Sequence, residues 1–248
     1  GEWERMSDRV GFWADMDNPY ITYDNNYIES VWWSLKQVAD KGLLYKGHKV
    51  VPYCPRCGTA LSSHEVSQGY KTVTEKSAFV RFKVKGEDNT WLYAWTTTPW
   101  TLPGNMAIAL HPREDYVLVR AADGDCYITA SALCAKTMQA GGLDSYEELA
   151  HFSGGELEYM TAAHPFLERD SLVVCADYVT MDSGTGCVHT APGFGADDYQ
   201  TCLRYGMEMV VPVDDQGRHT DYAGKYAGMK TEESNPVILA DMRESGML

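Results

Sequence analysis

Several signals are missing from this sequence of 248 residues, and each absence excludes a class of protein. No apolar run approaches the roughly 18 residues that a membrane-spanning helix needs, and no basic-then-apolar segment opens the chain as an export signal would. We therefore expect no membrane contact and a cytoplasmic location. The seven cysteines are an odd number, which does not suggest a disulfide framework and fits a reducing compartment.

Familiar nucleotide-binding and nucleophile motifs are also missing. There is no glycine-rich loop ending in Gly-Lys-Ser/Thr, no dinucleotide fingerprint and no Gly-x-Ser-x-Gly elbow. Basic residues are few, because 21 Lys and Arg stand against 35 Asp and Glu and give a net charge of −14. Such an acidic chain is a poor candidate for wrapping duplex nucleic acid, although a pocket that receives only one nucleic-acid end stays compatible with it.

What is present is typical of a folded protein. Hydrophobic residues make up 44% of the chain and aromatic residues 12%, which argues against disorder. The chain begins at Gly1 without Met, and we expect a fragment of a longer protein. Apolar spacing after Asp24 predicts a helix within residues 18–45, with Gly42 at its C-terminal end. We expect a monomer.

The remainder of the chain is dominated by short strand patterns. Strands are predicted at 49–53, 79–84, 91–95, 106–110, 116–121, 126–129, 171–179, 186–190 and 210–213, and helices at 131–139, 196–205 and 235–244. Many short strands with few helices predict a mixed α/β, β-rich fold, a β-barrel with peripheral helices. We divide the chain into a connecting segment (1–70), a barrel domain (71–230) and a C-terminal connecting helix (231–248).

A row of hydroxyls follows the strand predicted at 91–95. Because side chains alternate along an extended segment, Thr96 and Thr98 share one face and Thr97 takes the other. Threonine is also a common strand residue, but a rigid turn that ends in Asn105 is unusual for a plain strand. These hydroxyls are suited to binding a ligand's hydroxyl groups or orienting a water molecule without adding charge.

A second segment delivers a histidine and then a carboxylate. His189 follows a glycine-rich stretch and precedes a turn of mostly small residues. Its imidazole is suited to holding a ligand hydroxyl, to shuttling a proton or to forming a wall that limits which ligands fit, and the alternative is a purely structural role. Asp197 and Asp198 stand where a helix should begin. One of them suits helix capping, and the other is a candidate partner for a ligand ammonium group.

Cys54 and Cys57 have the spacing of half a tetrahedral zinc site. The chain has no second Cys-x-x-Cys pair, so we expect a structural zinc only where a further ligand pair from outside this sequence is present. The thioredoxin-like context that a redox pair requires is absent.

The residues of these segments resemble the editing insertion of class I aminoacyl-tRNA synthetases, in the isoleucyl branch of that family. Residues 95–105 resemble its Trp-Thr-Thr-Thr-Pro-Trp-Thr-Leu-Pro segment, and residues 184–199 its Gly-Thr-Gly-x-Val-His-Thr-Ala-Pro-Gly segment with the following Asp-Asp-Tyr. Segments 18–20, 29–33 and 51–59 also resemble the family, so the likeness covers most of the chain. The valyl and leucyl branches carry Thr-Thr-Arg-Pro in the first segment and lack this histidine. The family's ATP-site motifs are absent.

The resemblance implies a function and a set of site residues. The implied activity is hydrolysis of the ester that joins a wrongly attached valine to isoleucine tRNA, and in the whole enzyme also hydrolysis of the valyl adenylate. Isoleucine would be excluded by its size, and no cofactor would be needed. The implied partners are the valine-bearing 3′ end of that tRNA and the remaining synthetase domains. Asp198 would anchor the α-ammonium, and His189 would restrict side-chain size and contact the ribose. The other implied site residues are Thr96, Thr97, Thr98 and Asn105, which would hold the ribose or the water, and Trp95, Thr190 and Asp197, which would bind substrate.

Two other hypotheses remain open from the sequence. The same fold would serve as a non-catalytic binding module for the aminoacylated 3′ end, with hydrolysis left to the parent enzyme. Alternatively, the chain would be a structural zinc scaffold whose threonines and histidine are incidental. Phe194 stands where the family often has His.

Overall fold

The computed structural model describes all 248 residues, which form two compact units, Gly1–His48 and Lys49–Leu248. The smaller unit contains α1 (Glu2–Arg9) and α2 (Asn25–Asp40), and neither helix buries a residue. The predicted helix is confirmed in α2: Asp24 is its N-cap, and Gly42 follows it with a φ of 69°, the left-handed conformation that favours glycine after a helix. None of the chain's helices has the length and apolar character that crossing a membrane requires.

The larger unit opens with a short hairpin and a helix. The hairpin pairs β1 (Tyr53–Cys54) with β2 (Thr59–Ala60), and α3 (Ser63–Gln68) follows. The strand predicted at 49–53 is thus limited to its last residue. Pro55 packs so closely on Gly217 that a Cβ added there would lie 2.8 Å from the proline Cβ. This contact ties the hairpin to the larger unit, so the units divide after His48, although the sequence pattern placed the connecting segment's end at residue 70.

Nine strands form the main sheet of this unit, and six of them close into a barrel. The strands are β3 (Ala78–Val84), β4 (Thr90–Thr96), β5 (Ala107–Leu110), β6 (Asp115–Ala121), β7 (Cys126–Ala130), β8 (Tyr146–Ser153), β9 (Thr161–Ala163), β10 (Asp170–Cys175) and β11 (Val188–Thr190). The ring runs β11, β5, β10, β9, β3 and β4, and it closes because β11 pairs with both β5 and β4. The predicted β-rich barrel with peripheral helices is confirmed.

Strand β4 is the branch point of the sheet. One of its edges pairs with β3, while the other pairs with β7 near Thr90 and with β11 at Trp95. Strands β7, β6 and β8 therefore extend from the barrel as a flap. The strand predicted at 79–84 is confirmed in β3, where Val80 and Phe82 are buried in the core and the intervening side chains are half-buried.

The helices cover the outside of the barrel and match three predictions. They are α4 (Cys134–Ala140), preceded by a 3-10 turn, α5 (Ala196–Arg204) and α6 (Thr231–Glu244). Helix α6 begins at Thr231 rather than at Asn235, because Glu232 and Glu233 supply a favourable acidic first turn.

Some strand predictions were wrong in extent or place. The strand predicted at 171–179 ends at Cys175, and the one at 186–190 begins at Val188, because Gly186 has a φ of 75° and breaks the extended run. Residues 210–213 form no strand, and only Val213 pairs, with His219.

Candidate active site

The two motif segments meet at one end of the barrel. Strand β11 lies between β4 and β5, so Val188 is in register with both Trp95 and Ala109. A cavity of about 500 Å³ opens there, within the usual size range of small-molecule sites. Six predicted site residues line it: Trp95, Thr96, Thr97, Thr98, His189 and Asp198.

The hydroxyls of Thr96, Thr97 and Thr98 differ in whether they are already hydrogen-bonded within the protein. Thr96 is buried, and its Oγ1 accepts the backbone N–H of Thr98 at 3.1 Å. Thr97 is exposed, and its hydroxyl has no hydrogen-bond partner within the protein. After Thr98 the chain enters a 3-10 helix (Pro99–Gly104), which turns the backbone towards β5. Thr98 Oγ1 lies 3.4 Å from Thr101 Oγ1, which is a long contact. The unbonded hydroxyl of Thr97 and the weakly held hydroxyl of Thr98 are therefore the ones that a ligand or water can use.

Glycine at position 104 allows the end of this 3-10 helix to pack under the cavity rim. A Cβ at Gly104 would lie 2.8 Å from the ring of Phe194 and 3.2 Å from Pro212. The same Phe194 ring contacts Trp100 edge to face, with centroids 4.9 Å apart. The position where the family often has histidine thus forms an apolar rim, and its aromatic partner fixes the Thr-bearing turn.

His189 is held by hydrogen bonds at both ring nitrogens. Asn105 Nδ2 lies 2.7 Å from its Nδ1, and Thr101 Oγ1 lies 2.9 Å from its Nε2. Asn105 Nδ2 also donates to the carbonyl of Ala107 at 2.9 Å, which can only accept. Because this carbonyl fixes the amide's orientation, Nδ1 of His189 must accept and Nε2 must carry the proton.

The hydrogen-bond chain continues beyond these neighbours. Thr101 Oγ1 donates to the carbonyl of Thr98 at 2.8 Å, so it is free to accept from the histidine. At the other end, Ser171 Oγ donates to Asn105 Oδ1 at 2.5 Å. Asn105 and Ser171 are both fully buried. His189 thus has one tautomer and one orientation, and neither nitrogen is free to exchange a proton with a ligand in this arrangement.

The surroundings of His189 keep it uncharged. Burial lowers its pKa to about 4, and the nearby positive charge of Arg169 acts in the same direction. The cavity therefore presents a neutral imidazole at physiological pH, which is suited to be a wall of fixed shape.

Asp198 is the carboxylate that faces the cavity. It lies at the start of α5, and its Oδ2 accepts the backbone N–H of Ala191 at 2.8 Å. The carboxylate lies over Gly195, where a Cβ would come within 2.8 Å of its Cγ. Burial raises the pKa of Asp198, and the bond from Ala191 opposes this effect. A half-buried carboxylate without a cationic partner is well placed to receive an ammonium group.

The remaining predicted site residues do not line the cavity. Asp197 is exposed on the other side of the helix start. Thr190 is buried behind the cavity, where its hydroxyl donates to the Val188 carbonyl at 3.2 Å and lies 3.5 Å from the hydroxyl of Tyr178. Asn105 acts through His189 rather than by direct contact with the cavity.

Several residues of the site were not predicted. Tyr178 lines the cavity, and Thr101 and Ser171 hold the histidine through hydrogen bonds. Thr101 lies within the first motif segment, where its hydroxyl could have been predicted as a site residue on the same grounds as those of Thr96, Thr97 and Thr98. Ser171 and Tyr178 lie in an ordinary strand pattern, and nothing in that pattern indicates a role in the site.

A loop beneath the site clamps the 3-10 helix. His164 donates from Nε2 to the carbonyl of Leu102 at 2.9 Å and accepts the N–H of Leu167 at its Nδ1 at 3.1 Å. Burial lowers the pKa of His164 to about 3, so it is also neutral. Arg169 donates to the carbonyl of Pro103. The loop between β9 and β10 therefore positions the turn that carries Thr98 and Thr101.

The two hairpin cysteines lie across a tight turn. The N–H of Cys57 donates to the Cys54 sulfur and lowers the pKa of that thiol, while Cys54 raises the pKa of Cys57. No group of three or more His, Cys, Asp or Glu side chains in the chain is arranged to bind a metal ion. The pair would supply two of the four ligands of a structural zinc, so zinc binding stays a prediction that needs ligands from elsewhere.

Comparison with known proteins agrees with this architecture. The sequence profile of the tRNA synthetases class I (I, L, M and V) matches residues 1–204. The fold of the barrel matches the solved CP1 domain named GlLeuRS-CP1, with a TM-score of 0.56 at 15% identity over 69% of this chain and 97% of that one. It also matches the P. knowlesi cytosolic leucyl-tRNA synthetase editing domain, with a TM-score of 0.54 at 13% identity over 72% of this chain and 97% of that one. The chain belongs to the class I tRNA synthetase family.

Within that family, the chain is similar to isoleucine–tRNA ligases. The enzyme of Clostridium kluyveri is 51% identical over 252 aligned residues, which cover 100% of this chain and 24% of the relative. The resemblance predicted from the two motif segments is confirmed. The chain spans about a quarter of the length of such relatives.

Proposed function

We propose that this chain is an editing domain that hydrolyses the ester of valine wrongly attached to isoleucine tRNA. The observation that carries the proposal is a single cavity that joins Asp198, the hydroxyls of Thr97 and Thr98, and a neutral His189 of fixed shape. An aminoacyl ester is already activated, so its hydrolysis requires a positioned water and stabilisation of the developing charge rather than a covalent nucleophile.

Asp198 anchors the substrate at its amino end. The α-ammonium of an aminoacyl ester pairs with this carboxylate, which has no other cationic partner in the protein. Because the ammonium is common to all aminoacyl esters, this contact orients the substrate without selecting its side chain.

Selection by size falls to the walls of the cavity. Favourable burial of one extra methylene is worth only about 0.8 kcal/mol, so attraction alone separates valine from isoleucine poorly. A rigid wall excludes the larger side chain by steric overlap instead. His189 is such a wall, because bonds at both nitrogens prevent its ring from turning aside.

Hydrolysis then takes place at the hydroxyl row. Thr97 and Thr98 hold the ribose or orient the water that attacks the ester carbonyl. The water oxygen bonds to the carbonyl carbon, and the bond between that carbon and the ribose oxygen breaks. One proton of the water passes to the ribose oxygen and the other to solvent, so valine leaves as a carboxylate. His189 does not take the proton in this arrangement, because both of its nitrogens are occupied.

The test is deacylation of Val-tRNA(Ile) by this chain, with Ile-tRNA(Ile) in parallel. Loss of valine with isoleucine retained is the expected result. Asp198→Asn should abolish most of the activity, whereas the exposed Asp197→Asn is the matched control. If wild type spares both tRNAs but binds a non-hydrolysable valyl-adenosine, the chain is a binding module; if it binds neither, the proposal fails.

A further inference from the structure

The 3-10 helix that follows the hydroxyl row is not capped by its own N-cap residue. Thr98 holds that position, and Pro99 fills the first helical position, where no N–H is required. A threonine at an N-cap ordinarily accepts the N–H of the second or third helical residue with its hydroxyl. The side chain of Thr98 makes no such bond. The N–H groups of Trp100 and Thr101 have other partners.

The partner of Trp100 comes from a distant helix. The N–H of Thr101 donates to the backbone carbonyl of Thr98 at 2.9 Å. The N–H of Trp100 donates at 2.8 Å to Oδ1 of Asn235, which lies on α6, 135 residues further along the chain. Asn235 is half-buried and does not line the active-site cavity. Its amide oxygen does the work of an N-cap, so the Thr98 hydroxyl is left to face the cavity.

The first turn of α6 holds Asn235 in a fixed place. The neighbouring Ser234 is fully buried, and its hydroxyl donates to the carbonyl of Thr231 at 2.8 Å. Because that proton is used, the Ser234 oxygen accepts from Nε2 of His219, which lies 2.8 Å away. Ile238, one turn further along the helix, is also fully buried. These contacts prevent α6 from rotating, so the acceptor oxygen of Asn235 stays aligned with the 3-10 helix.

We propose that Asn235 is a positioning residue of the active site, which caps Trp100 so that the Thr98 hydroxyl stays available to the ribose or the attacking water. The inference rests on the proposed function for the role of that hydroxyl. Without Asn235, the N–H of Trp100 loses its acceptor, and an unpaired donor in a part-buried place is unfavourable. The hydroxyl of Thr98 then turns to accept this N–H from the N-cap position and leaves the cavity.

The first experiment measures deacylation of Val-tRNA(Ile) by variants of Asn235. Asn235→Ala should lower kcat about tenfold and leave KM within about twofold, because it removes a contact of the reacting centre and not the Asp198 anchor. Asn235→Asp keeps an acceptor oxygen in the same place and should retain most of the activity. Val237→Ala is the matched control, because it shortens an exposed side chain of the same helix. An unchanged kcat in Asn235→Ala, or no rescue by Asn235→Asp, would overturn the proposal.

A double substitution tests whether Asn235 acts through Thr98. Thr98→Ala alone should also lower kcat about tenfold. In the Asn235→Ala background the same substitution should have no further effect, because the hydroxyl has already left the cavity. Losses that multiply to about a hundredfold would show that Asn235 acts by another route and would contradict the proposal.

Hydrogen exchange at the Trp100 amide, followed by NMR, provides a readout that needs no hydrolysis. The amide should be protected in wild type, in Asn235→Ala and in Thr98→Ala, because one acceptor remains in each. It should exchange rapidly only in the double variant. Rapid exchange in Asn235→Ala alone would show that water replaces Asn235, and it would overturn the proposal even if valyl esters are hydrolysed. The expected pattern in a chain that hydrolyses no valyl ester would support the capping exchange and contradict the hydrolase.

Discussion

The protonation state of His189 is set by Asn105, and an isosteric substitution tests this directly. Asn105→Asp replaces the N–H donor that lies 2.7 Å from Nδ1 with a carboxylate oxygen. His189 should then take a proton on Nδ1 and become an imidazolium paired with the new carboxylate. An opposite charge at hydrogen-bond distance raises a histidine pKa by about 1 to 3 units. The pKa of His189, lowered to about 4 in the wild type, should therefore rise to about 5 to 7.

The substitution also has a cost in stability. Asn105 is fully buried, and the carboxylate would face the carbonyl of Ala107, which the amide now contacts at 2.9 Å as a donor. An unsatisfied buried acceptor costs about 1 to 3 kcal/mol. The bond from Ser171 remains. Because the new ion pair is lost as the pH rises through the raised pKa of His189, the difference in stability from wild type should grow towards alkaline pH.

A charged imidazole should also change substrate binding. Below the raised pKa, the imidazolium repels the substrate ammonium that Asp198 attracts. We therefore expect the KM for valyl esters to rise several-fold in Asn105→Asp at acidic pH and to return towards the wild-type value as the histidine loses its proton.

Nitrogen NMR of the histidine rings between pH 4 and 8 is the assay. Wild-type His189 should show the neutral pattern with Nε2 protonated across most of this range. Asn105→Ala is the control, because it removes the donor without adding a charge and should leave the pKa low. A wild-type His189 that titrates near 6.5, or that carries its proton on Nδ1, would refute the hydrogen-bond assignment and the neutral wall together.

Three further predictions address anchoring, backbone geometry and acid stability. Asp198→Asn should lower kcat/KM for Val-tRNA(Ile) about 10- to 100-fold, because it removes one charge-assisted contact of about 1.5 to 3 kcal/mol. Wild-type activity should also decline when the pH falls through the raised pKa of Asp198. Gly186→Ala should prevent stable folding or lower Tm by many degrees, since its Cβ would lie 2.3 Å from that of Ala130 at a φ of 75°. Gly206→Ala is the control: it has open space at a φ of 66° and should lower the free energy of unfolding by only about 1 kcal/mol. His164 has a pKa lowered to about 3 in the folded state, so above that pH it takes up a proton only on unfolding. The free energy of unfolding, measured by denaturant titration, should therefore fall as the pH drops below about 6.5, by at most about 5 kcal/mol for this group. His164→Gln should flatten that dependence, and an unchanged slope would show that the acid sensitivity arises elsewhere.

Much of the fold was predictable because its strands carry a strong local pattern. Strands such as β3 alternate between core and surface, and α2 has a recognisable cap and a terminal glycine. The sequence patterns missed β8 and β9 for physical reasons. Strand β8 is mostly exposed and lacks apolar alternation, and β9 has only three residues. Residues 210–213 are apolar but form no strand, because no neighbouring strand edge is offered to them beyond Val213.

The site was predictable where its residues form compact motifs and unpredictable where they act from a distance. The hydroxyl row, His189 and Asp198 lie in two short segments whose residue types already indicate a ligand. Ser171 contacts Asn105 across 66 positions of sequence, and only the pairing of β10 with β5 brings them together. The sequence also left open whether His189 is a base or a wall, since that depends on hydrogen-bond partners that local spacing does not encode.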